Sequence, residues 1–307
     1  MTVSIVIILA IFLDALFGEP RRWHPLVGFG KVAAAIESNL NVDNLTKINS
    51  NLLGLIALSL LIIPLTAVTA FISYTFNTYL LFEIIILYFA VGARSLVEHA
   101  QQVANALQTN KTNEARLFTS YLVSRDTENM NETDMSRATI ESTLENGSDA
   151  IFAPLFWFAI GGAPAVLLYR LSNTLDAMWG YRTERFKHFG FSAARLDDIL
   201  NYIPARLTAL TYACLGCFQN AIQCWRTQAS ACKSPNGGPV MASGAGALSV
   251  RLGGPTQYHG KVEDCPILGN GEQPQANNIL QATRLIQRGL VLWITVALLI
   301  AGVHSIA

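Results

Sequence analysis

Three carboxylates stand four residues apart in a segment that we predict to be helical. Glu141, Glu145 and Asp149 have i, i+4, i+8 spacing, so neighbouring members share a helix face and repel each other. A divalent cation would relieve that repulsion, and Mg²⁺ binds carboxylate oxygens and commonly phosphate as well. A solvated acidic face is the alternative interpretation. An apolar run follows directly after Asp149. Charge so close to a membrane is costly unless it has a partner or a function, so we predict all three as metal ligands.

A second group of candidate residues lies around the start of this helix. Arg125 is followed by Asp126, and Asn146 lies between two of the acids. An arginine can hold two phosphate oxygens at once, which a lysine cannot. We therefore predict Arg125, Asp126, Glu141 and Asn146 as catalytic residues.

A glycine-rich segment offers a different kind of anion site. Ser234-Pro-Asn-Gly-Gly-Pro239 precedes Gly244, Gly246 and Arg251-Leu-Gly-Gly-Pro255. Exposed N–H groups of such a loop bind anions, and glycine lets a ligand approach the backbone. The spacing is neither that of the P-loop nor that of the dinucleotide fingerprint, and a series of turns is the alternative. The predicted phosphate-binding residues here are Ser234, Asn236, Gly237 and Gly238.

Two further segments carry candidate residues. His24 lies in a loop with two X-Pro steps, which favour a defined shape; a membrane-interface anchor is the alternative, because Trp and Arg are common there. The segment 169–206 mixes Arg, Asp, Asn and Tyr, a combination suited to phosphate. We add His24 to the catalytic residues, and Arg182, Arg195, Asp198 and Arg206 to the phosphate-binding residues.

The composition indicates which elements must position these residues. Hydrophobic residues make up 51% of the 307 residues and charged residues 14%, whereas about a quarter of a soluble domain is charged. The net charge is zero, and without a basic stripe we expect no nucleic-acid partner. Apolar runs long enough for membrane helices lie near 2–17, 52–72, 79–96, 150–169, 207–225 and 289–307.

We therefore predict an all-α, polytopic integral membrane protein with long helical cytoplasmic segments, forming a single membrane-embedded domain over 1–307. We find no alternating pattern long enough for a β-strand. The link 73–78 has no Lys or Arg, so the positive-inside rule places it outside and the basic segments in the cytoplasm. The run 150–169 contains Gly161-Gly162-Ala163-Pro164 at its middle. It is either a kinked spanning helix or a re-entrant pair of half-helices.

The cysteines exclude two kinds of site. Their number, five, is odd, and four lie within or just after one apolar run, so we expect no disulfide framework. Cys214 and Cys217 have neither a second pair nor a nearby histidine, so zinc is not expected.

Taken together and in order, the motifs resemble the CobD/CbiB family of cobalamin biosynthesis, the adenosylcobinamide-phosphate synthases. The resemblance covers nearly the whole chain, with two departures. Gly238 meets Pro239 without the aromatic residue that is usual there, and the match is looser in the tail after Tyr258. The matching stretches are Gly18-Glu-Pro20, His24-Pro25, Arg94, Ser124-Arg-Asp-Thr127, Glu141-Ser-Thr-Leu-Glu-Asn146, Asp149, Ala153-Pro-Leu-Phe-Trp157, Tyr169-Arg-Leu-Ser-Asn-Thr-Leu-Asp176, Gly180-Tyr181, Phe189-Gly190, Arg195-Leu-Asp-Asp198, Asn201, Pro204-Ala-Arg206, Ser234-Pro-Asn-Gly-Gly238, Gly246-Ala-Leu248 and Arg251-Leu-Gly-Gly-Pro255.

The resemblance implies an enzyme of the inner membrane, multi-pass, with a cytoplasmic active face. It would join adenosylcobyric acid to (R)-1-aminopropan-2-ol or its O-phosphate through an amide, giving adenosylcobinamide or its phosphate. The implied cofactors are ATP and Mg²⁺. The implied partners are the corrinoid, aminopropanol phosphate, the lipid bilayer and other membrane enzymes of the corrinoid pathway.

Two other classes of function remain open at this point. One is a non-enzymatic membrane sensor or scaffold similar to AmpE-type proteins, and the other is a small-solute transporter. A transporter places polar residues at mid-membrane, where Glu83 is the only candidate. An enzyme should gather its polar residues at a cytoplasmic mouth. We predict that one cytoplasm-facing cavity is lined by His24, Arg125, Asp126, Glu141, Asn146, Asp149, Asp176, Asp197, Asp198 and Asn236.

Overall fold

The computed structural model describes residues 2–20, 24–42, 46–75, 79–181, 183–258 and 261–306. These residues form mainly α-helices, with one small antiparallel sheet. A π-helical turn spans Ser148–Phe152, and a 3-10 turn spans Ala229–Ala231. The elements are α1 (Thr2–Phe17), α2 (Pro25–Leu40), α3 (Lys47–Thr75), α4 (Tyr79–Ala90), α5 (Ala93–Gln108), α6 (Thr112–Ser120), α7 (Glu132–Gly147), α8 (Ala153–Trp179), α9 (Phe191–Leu215), α10 (Phe218–Gln228), α11 (Gly237–Leu248), β1 (Leu252–Tyr258), β2 (Lys261–Leu268) and α12 (Ala276–Ile306).

Within the described ranges, four helical stretches are long and apolar enough to cross a membrane. They are Lys47–Thr75, Leu80–Gln108, Glu132–Trp179 and Ala276–Val303, and α1 is a shorter apolar helix. This length and composition confirm the predicted class, an all-α membrane protein.

The apolar run 207–225 is not one helix, which corrects the expectation of a span there. α9 ends at Leu215 and α10 begins at Phe218. The backbone N–H of Cys217 donates to the carbonyl of Ala247 at 3.0 Å. A Cβ on Gly216 would lie 2.6 Å from that same carbonyl oxygen. The close approach of the two backbones requires glycine and turns the chain between the helices.

The chain divides into two compact units. The first unit comprises Met1–Gly92, Ala153–Asn201 and Ala297–Ala307, and the second comprises Ala93–Phe152 and Tyr202–Val296. In the first unit, α2, α3 and α8 pack around a core that includes Phe29, Leu61 and Trp179. The ring of Trp179 meets the ring of Phe189 edge-on, with 5.1 Å between the centroids.

α8 is broken at Gly161 and Gly162, as the sequence motif predicted. Gly162 has φ 62° and ψ −153°, a conformation that essentially only glycine adopts. Ala153 and Tyr169 nevertheless belong to one buried cluster with Leu200. In a straight helix these two residues would lie about 24 Å apart, at ~1.5 Å per residue. The two halves of α8 therefore fold back on each other, which favours the re-entrant hairpin over the kinked span.

Glu83 of α4 holds the tip of this hairpin. Its Oε2 accepts a hydrogen bond from the backbone N–H of Ala163 at 2.7 Å, and its Oε1 accepts one from Ser73 Oγ at 2.8 Å. Glu83 is only 8% exposed. A carboxylate at the N-terminus of the second half-helix satisfies a backbone donor there and complements the helix dipole.

The second unit contains the β1–β2 hairpin, so our expectation of no strand was wrong. Leu252 pairs with Leu268 and Gly254 pairs with Cys265, with an irregularity in register between Leu252 and Gly254. Gly253 and Gly254 have φ of 76° and 91°. A strand with two consecutive glycines has low β propensity. This strand forms because it pairs with β2, and such pairing has no signal in the local sequence.

Candidate functional site

Arg125 and Glu141 form the centre of a polar cluster in the second unit. Nη2 of Arg125 lies 2.5 Å from Oε2 of Glu141, and the two side chains are 14% and 6% exposed. The other oxygen, Oε1, accepts a hydrogen bond from the backbone N–H of Gly253 at 2.7 Å. The backbone of this glycine-rich stretch therefore binds one of the protein's own carboxylates.

The three predicted metal ligands, Glu141, Glu145 and Asp149, have different surroundings. Both oxygens of Glu141 are bound by protein donors. Asp149 lies in the π-helical turn that follows α7. Within the described part of the chain, no group of three or more His, Cys, Asp or Glu side chains could hold a metal ion. Binding of Mg²⁺ by one of Glu141, Glu145 and Asp149 stays a prediction.

Glu145 lies next to the N-terminus of α11. A Cβ on Gly237 would be 2.6 Å from Oε1 of Glu145. The first turn of a helix favours negative charge, so the glycine makes room for a carboxylate at a favourable position. This gives Gly237 a role that the sequence analysis did not assign.

The hydroxyl of Ser234 accepts hydrogen bonds from the backbone N–H groups that we predicted to bind phosphate. Its Oγ accepts from the backbone N–H of Gly237 at 3.0 Å and of Asn236 at 3.3 Å. Gly238 is buried, and a Cβ there would lie 2.3 Å from the carbonyl oxygen of Ala229. The glycines thus allow close packing, and phosphate binding by this loop stays a prediction.

Arg206 connects α9 to the same loop. Its Nη1 donates to Oδ1 of Asn236 at 2.9 Å, and its Nη2 donates to the carbonyl of Pro235 at 3.2 Å. Its guanidinium stacks on the ring of Tyr202, 3.5 Å from the centroid. Two of the predicted phosphate-binding residues, Arg206 and Asn236, are therefore in direct contact.

A cavity of about 160 Å³ opens beside Arg125. The sequence analysis missed Arg137, which lines this cavity and whose side chain is 15% exposed. Asn131 and Asp134 form a capping box that begins α7. That motif was a usable signal, because it places Arg137 one helical turn before Glu141. The complete lining is Arg125, Asp126, Asn129, Met130, Asp134, Arg137, Pro255, Thr256 and Gln257.

Cys232 interacts electrostatically with Glu141 and Glu145 of α7. Burial, with smaller contributions from Glu145, Cys265 and Glu141, raises the pKa of Cys232 to about 11. The thiol is therefore protonated at neutral pH and is a poor nucleophile. All five cysteines are free in the structure.

Asn146 occupies an exposed position on α7. Its Nδ2 donates to the carbonyl of Ser142 at 2.9 Å and to the hydroxyl of Ser142 at 3.0 Å. These bonds stay within one helix turn, so they hold the amide against its own helix. Its catalytic role stays a prediction.

The first unit contains a second polar cluster, formed by α8 and α9. Asp197 accepts from Nδ2 of Asn173 at 3.2 Å and from Nδ2 of Asn201 at 3.0 Å. Tyr169 donates to Asn201 at 3.0 Å, and Arg170 donates to Asn173 at 3.2 Å. Burial raises the pKa of Asp197 more than the two amide donors lower it. None of these residues except Asp197 was among our site predictions.

His24 forms the N-cap of α2. Its Nδ1 accepts from the backbone N–H of Leu26 at 3.2 Å, and its ring meets Phe89 edge-on at 5.6 Å. Burial lowers the pKa of His24, Glu19 raises it and Arg170 lowers it further. The imidazole is thus neutral at pH 7 and has a structural role as a cap, and its catalytic role stays a prediction.

The predicted site residues are divided between the two units. Arg195 pairs with Asp198 at 3.3 Å on the exposed side of α9. Arg182 lies outside the described residues. The structure brings Arg125 to Glu141 and Arg206 to Asn236, and convergence of both units on one cavity stays a prediction. The first unit holds His24, Asp176, Arg195, Asp197 and Asp198, and the second holds Arg125, Asp126, Glu141, Glu145, Asn146, Asp149, Arg206, Ser234, Asn236, Gly237 and Gly238.

Replacing Asp197 by alanine is expected to lower the free energy of unfolding by about 1–3 kcal/mol, because the amides of Asn173 and Asn201 lose their acceptor. Denaturant unfolding in detergent measures this change.

Since the pKa of Asp197 is raised, the parent protein should lose stability as the pH rises from about 4 through the raised value. The variant should lack this dependence on pH. Glu184→Ala, at an exposed position, is the control and should change stability by less than about 0.5 kcal/mol. Equal effects of the two variants would contradict the assigned network.

Comparisons with known proteins identify relatives along the whole chain. The family model described as "CobD/Cbib protein" matches residues 7–286. A cobalamin biosynthesis protein CobD of Stutzerimonas stutzeri is 52% identical over 298 residues, covering 97% of this chain and 98% of the relative. The proteins of the same name in Chromobacterium violaceum and Mycobacterium tuberculosis are 48% and 37% identical, covering 99% and 94% of this chain and 100% and 93% of the relatives. No solved structure matches the chain.

Proposed function

The chain belongs to the CobD/CbiB family of cobalamin biosynthesis proteins, and we propose that it is an adenosylcobinamide-phosphate synthase. In this proposal it joins the carboxylate of adenosylcobyric acid to the amine of (R)-1-aminopropan-2-ol or its O-phosphate. The bond formed is an amide, and the reaction uses ATP. The observation that carries the proposal is the cavity between Arg125 and Arg137.

The chemistry requires an activated carboxylate, since a free carboxylate is a poor acyl donor. In the proposed first step, an oxygen of the substrate carboxylate attacks the γ-phosphorus of ATP, and ADP leaves. In the second step the amine attacks the acyl carbon, inorganic phosphate leaves and the amine loses a proton. Fixed donors that face the charge developing on the phosphate oxygens would accelerate the first step.

Two arginines supply such donors. Arg125 and Arg137 both line the cavity, and each is held on one side by a carboxylate, Glu141 and Asp134 respectively. A carboxylate fixes the orientation of a guanidinium, and a guanidinium of fixed orientation recognises phosphate oxygens with defined geometry. The side chains are 14% and 15% exposed, and partial burial strengthens their attraction for phosphate.

Mg²⁺ would accompany ATP and would neutralise part of the phosphate charge. Of the three carboxylates predicted to bind it, we favour Glu145, because both oxygens of Glu141 already accept protein hydrogen bonds and Asp149 lies in the π-helical turn. The half-buried position of Glu145 is compatible with a ligand that retains several waters.

We further propose a cytoplasmic active face in the inner membrane. The fold-back of α8 returns the chain to the side from which it came, so the basic segment 183–187 lies on the same side as the start of α8. The positive-inside rule then assigns that side to the cytoplasm. Without the fold-back, the basic segment would lie outside.

The alternatives make different use of the same residues. The transporter alternative depended on Glu83, whose carboxylate accepts hydrogen bonds at the hairpin tip, so a structural role accounts for its burial. A sensor or scaffold requires no pair of arginines around a cavity.

The test is to incubate the purified protein with adenosylcobyric acid, ATP, Mg²⁺ and either aminopropanol or its phosphate. We expect a corrinoid amide by mass spectrometry, with ADP formed in equal amount and no product without ATP. Corrinoid binding without any amide product under these conditions would favour the sensor or scaffold alternative.

Arg125→Lys is expected to weaken ATP binding by about 1–3 kcal/mol, because lysine keeps the charge but loses the bidentate fork. An ATP titration at fixed corrinoid concentration measures the change. Arg226→Lys, on the exposed side of α10, is the matched control and should leave the titration unchanged. If the apparent ATP affinity and the turnover of Arg125→Lys match those of the parent, Arg125 has a structural role only.

A further inference from the structure

A second cavity lies in the second unit, away from Arg125. It has a volume of about 460 Å³ and is lined by the break between α9 and α10, the end of α11 and the first half of α12. Two arginines of α12, Arg284 and Arg288, line it together with Leu215, Leu248 and Leu285. The cavity therefore combines two cations with an apolar wall.

The two arginines are placed at an electrostatic cost. Arg284 and Arg288 are one turn apart on the same face of α12, so their charges repel each other. Both are exposed. Within the residues that the structure describes, neither forms an ion pair or a side-chain hydrogen bond. An anion between the two guanidinium groups would relieve this repulsion.

The protein supplies only partial negative charge at this place. α9 ends at Leu215 and α11 ends at Leu248, and both residues line the cavity. The carboxyl ends of helices attract cations, which accounts for the position of the arginines. The N–H groups of the guanidiniums remain available for a ligand with full negative charge.

The continuation of α12 indicates where this ligand comes from. Directly after Arg288 the helix becomes apolar, and Val291, Leu299 and Val303 are 64%, 65% and 66% exposed. Side chains this exposed and apolar on a helix long enough to cross a membrane face lipid. Arginines at the end of such a run lie at the depth of the phospholipid headgroups.

We propose that this cavity binds the headgroup phosphate of an anionic phospholipid, with Arg284 and Arg288 as the phosphate ligands. Leu215, Leu248 and Leu285 would contact the glycerol and the first methylenes of the acyl chains. A lipid fits better than free phosphate or a nucleotide, because the cavity wall is apolar and because the exposed apolar face of α12 begins next to it. The inference is independent of the proposed reaction.

Native mass spectrometry of the full-length protein in mild detergent tests the proposal, with no corrinoid or ATP present. The protein is titrated with phosphatidylglycerol, with phosphatidylcholine and with inorganic phosphate in separate arms. We expect phosphatidylglycerol to bind at least about tenfold more tightly than phosphatidylcholine, since each arginine near an anionic headgroup contributes on the order of a fivefold gain. Inorganic phosphate should not compete.

The variant Arg284→Gln/Arg288→Gln is expected to lose this preference for phosphatidylglycerol. The matched control, Lys187→Gln/Arg226→Gln, removes two exposed cations that do not line the cavity and should keep it. Should the glutamine variant fail to fold, Arg284→Lys/Arg288→Lys retains both charges and should bind the lipid more weakly than the parent. Unchanged lipid preference in a folded variant, or displacement of the lipid by inorganic phosphate, would overturn the proposal.

Discussion

Replacing Glu141 by alanine is expected to lower the free energy of unfolding by about 3–5 kcal/mol, the usual cost of removing one partner from a buried ion pair. The variant leaves the guanidinium of Arg125, whose side chain is 14% exposed, without its buried anion. It also removes the acceptor of the Gly253 N–H. Denaturant titration in detergent, followed by circular dichroism, measures the loss.

Two controls separate this effect from a general loss of charge. Glu114→Ala breaks the exposed ion pair between Glu114 and Lys111, in which the Lys111 side chain is 57% exposed and the Glu114 side chain 52% exposed. This variant should lower the free energy of unfolding by less than about 1 kcal/mol. The double variant Arg125→Met/Glu141→Leu removes both charges and should regain part of the loss. If Glu141→Ala costs no more than Glu114→Ala, the pair is not buried in solution.

Replacing Gly162 by alanine is expected to destabilise the hairpin of α8 by about 2–4 kcal/mol. The backbone there has φ 62° and ψ −153°, which strains any residue with a Cβ. That Cβ would also lie 2.9 Å from Oε2 of Glu83, the atom that accepts from the Ala163 N–H. The same denaturant titration measures the loss.

Gly302→Ala is the matched control, because nothing lies within 4 Å of a Cβ at that position of α12. Alanine there should be neutral or stabilising by up to about 1 kcal/mol. Equal stability of Gly162→Ala and the parent would show that α8 is a continuous helix in the membrane and would restore the kinked span.

The local properties of the sequence were sufficient for most of the membrane helices, though not for the run 207–225, and for the break in α8. Length and apolar composition identify a span such as Lys47–Thr75 without reference to any other element, because transfer of a helix into lipid depends on its own side chains. The break is equally local, since Gly161, Gly162 and Pro164 weaken the helix by themselves. The candidate acids were also noticed from local sequence, because Glu141, Glu145 and Asp149 lead directly into an apolar run.

Tertiary structure decided which of these groups meet. Glu141 and Gly253 are 112 positions apart. No periodicity in either segment indicates that the carboxylate of Glu141 accepts a hydrogen bond from the backbone N–H of Gly253. The β1–β2 hairpin, the turn at Gly216 and the direction in which α8 folds back likewise depend on contacts with distant residues. Local propensity describes the conformation of a segment, whereas the partner of a buried charge is selected by packing and desolvation across the whole unit. The sequence by itself therefore determined the class of the protein and the chemistry that its residues can perform, and only the folded chain decided that Arg125, Glu141 and Gly253 form one centre, with Arg137 beside it.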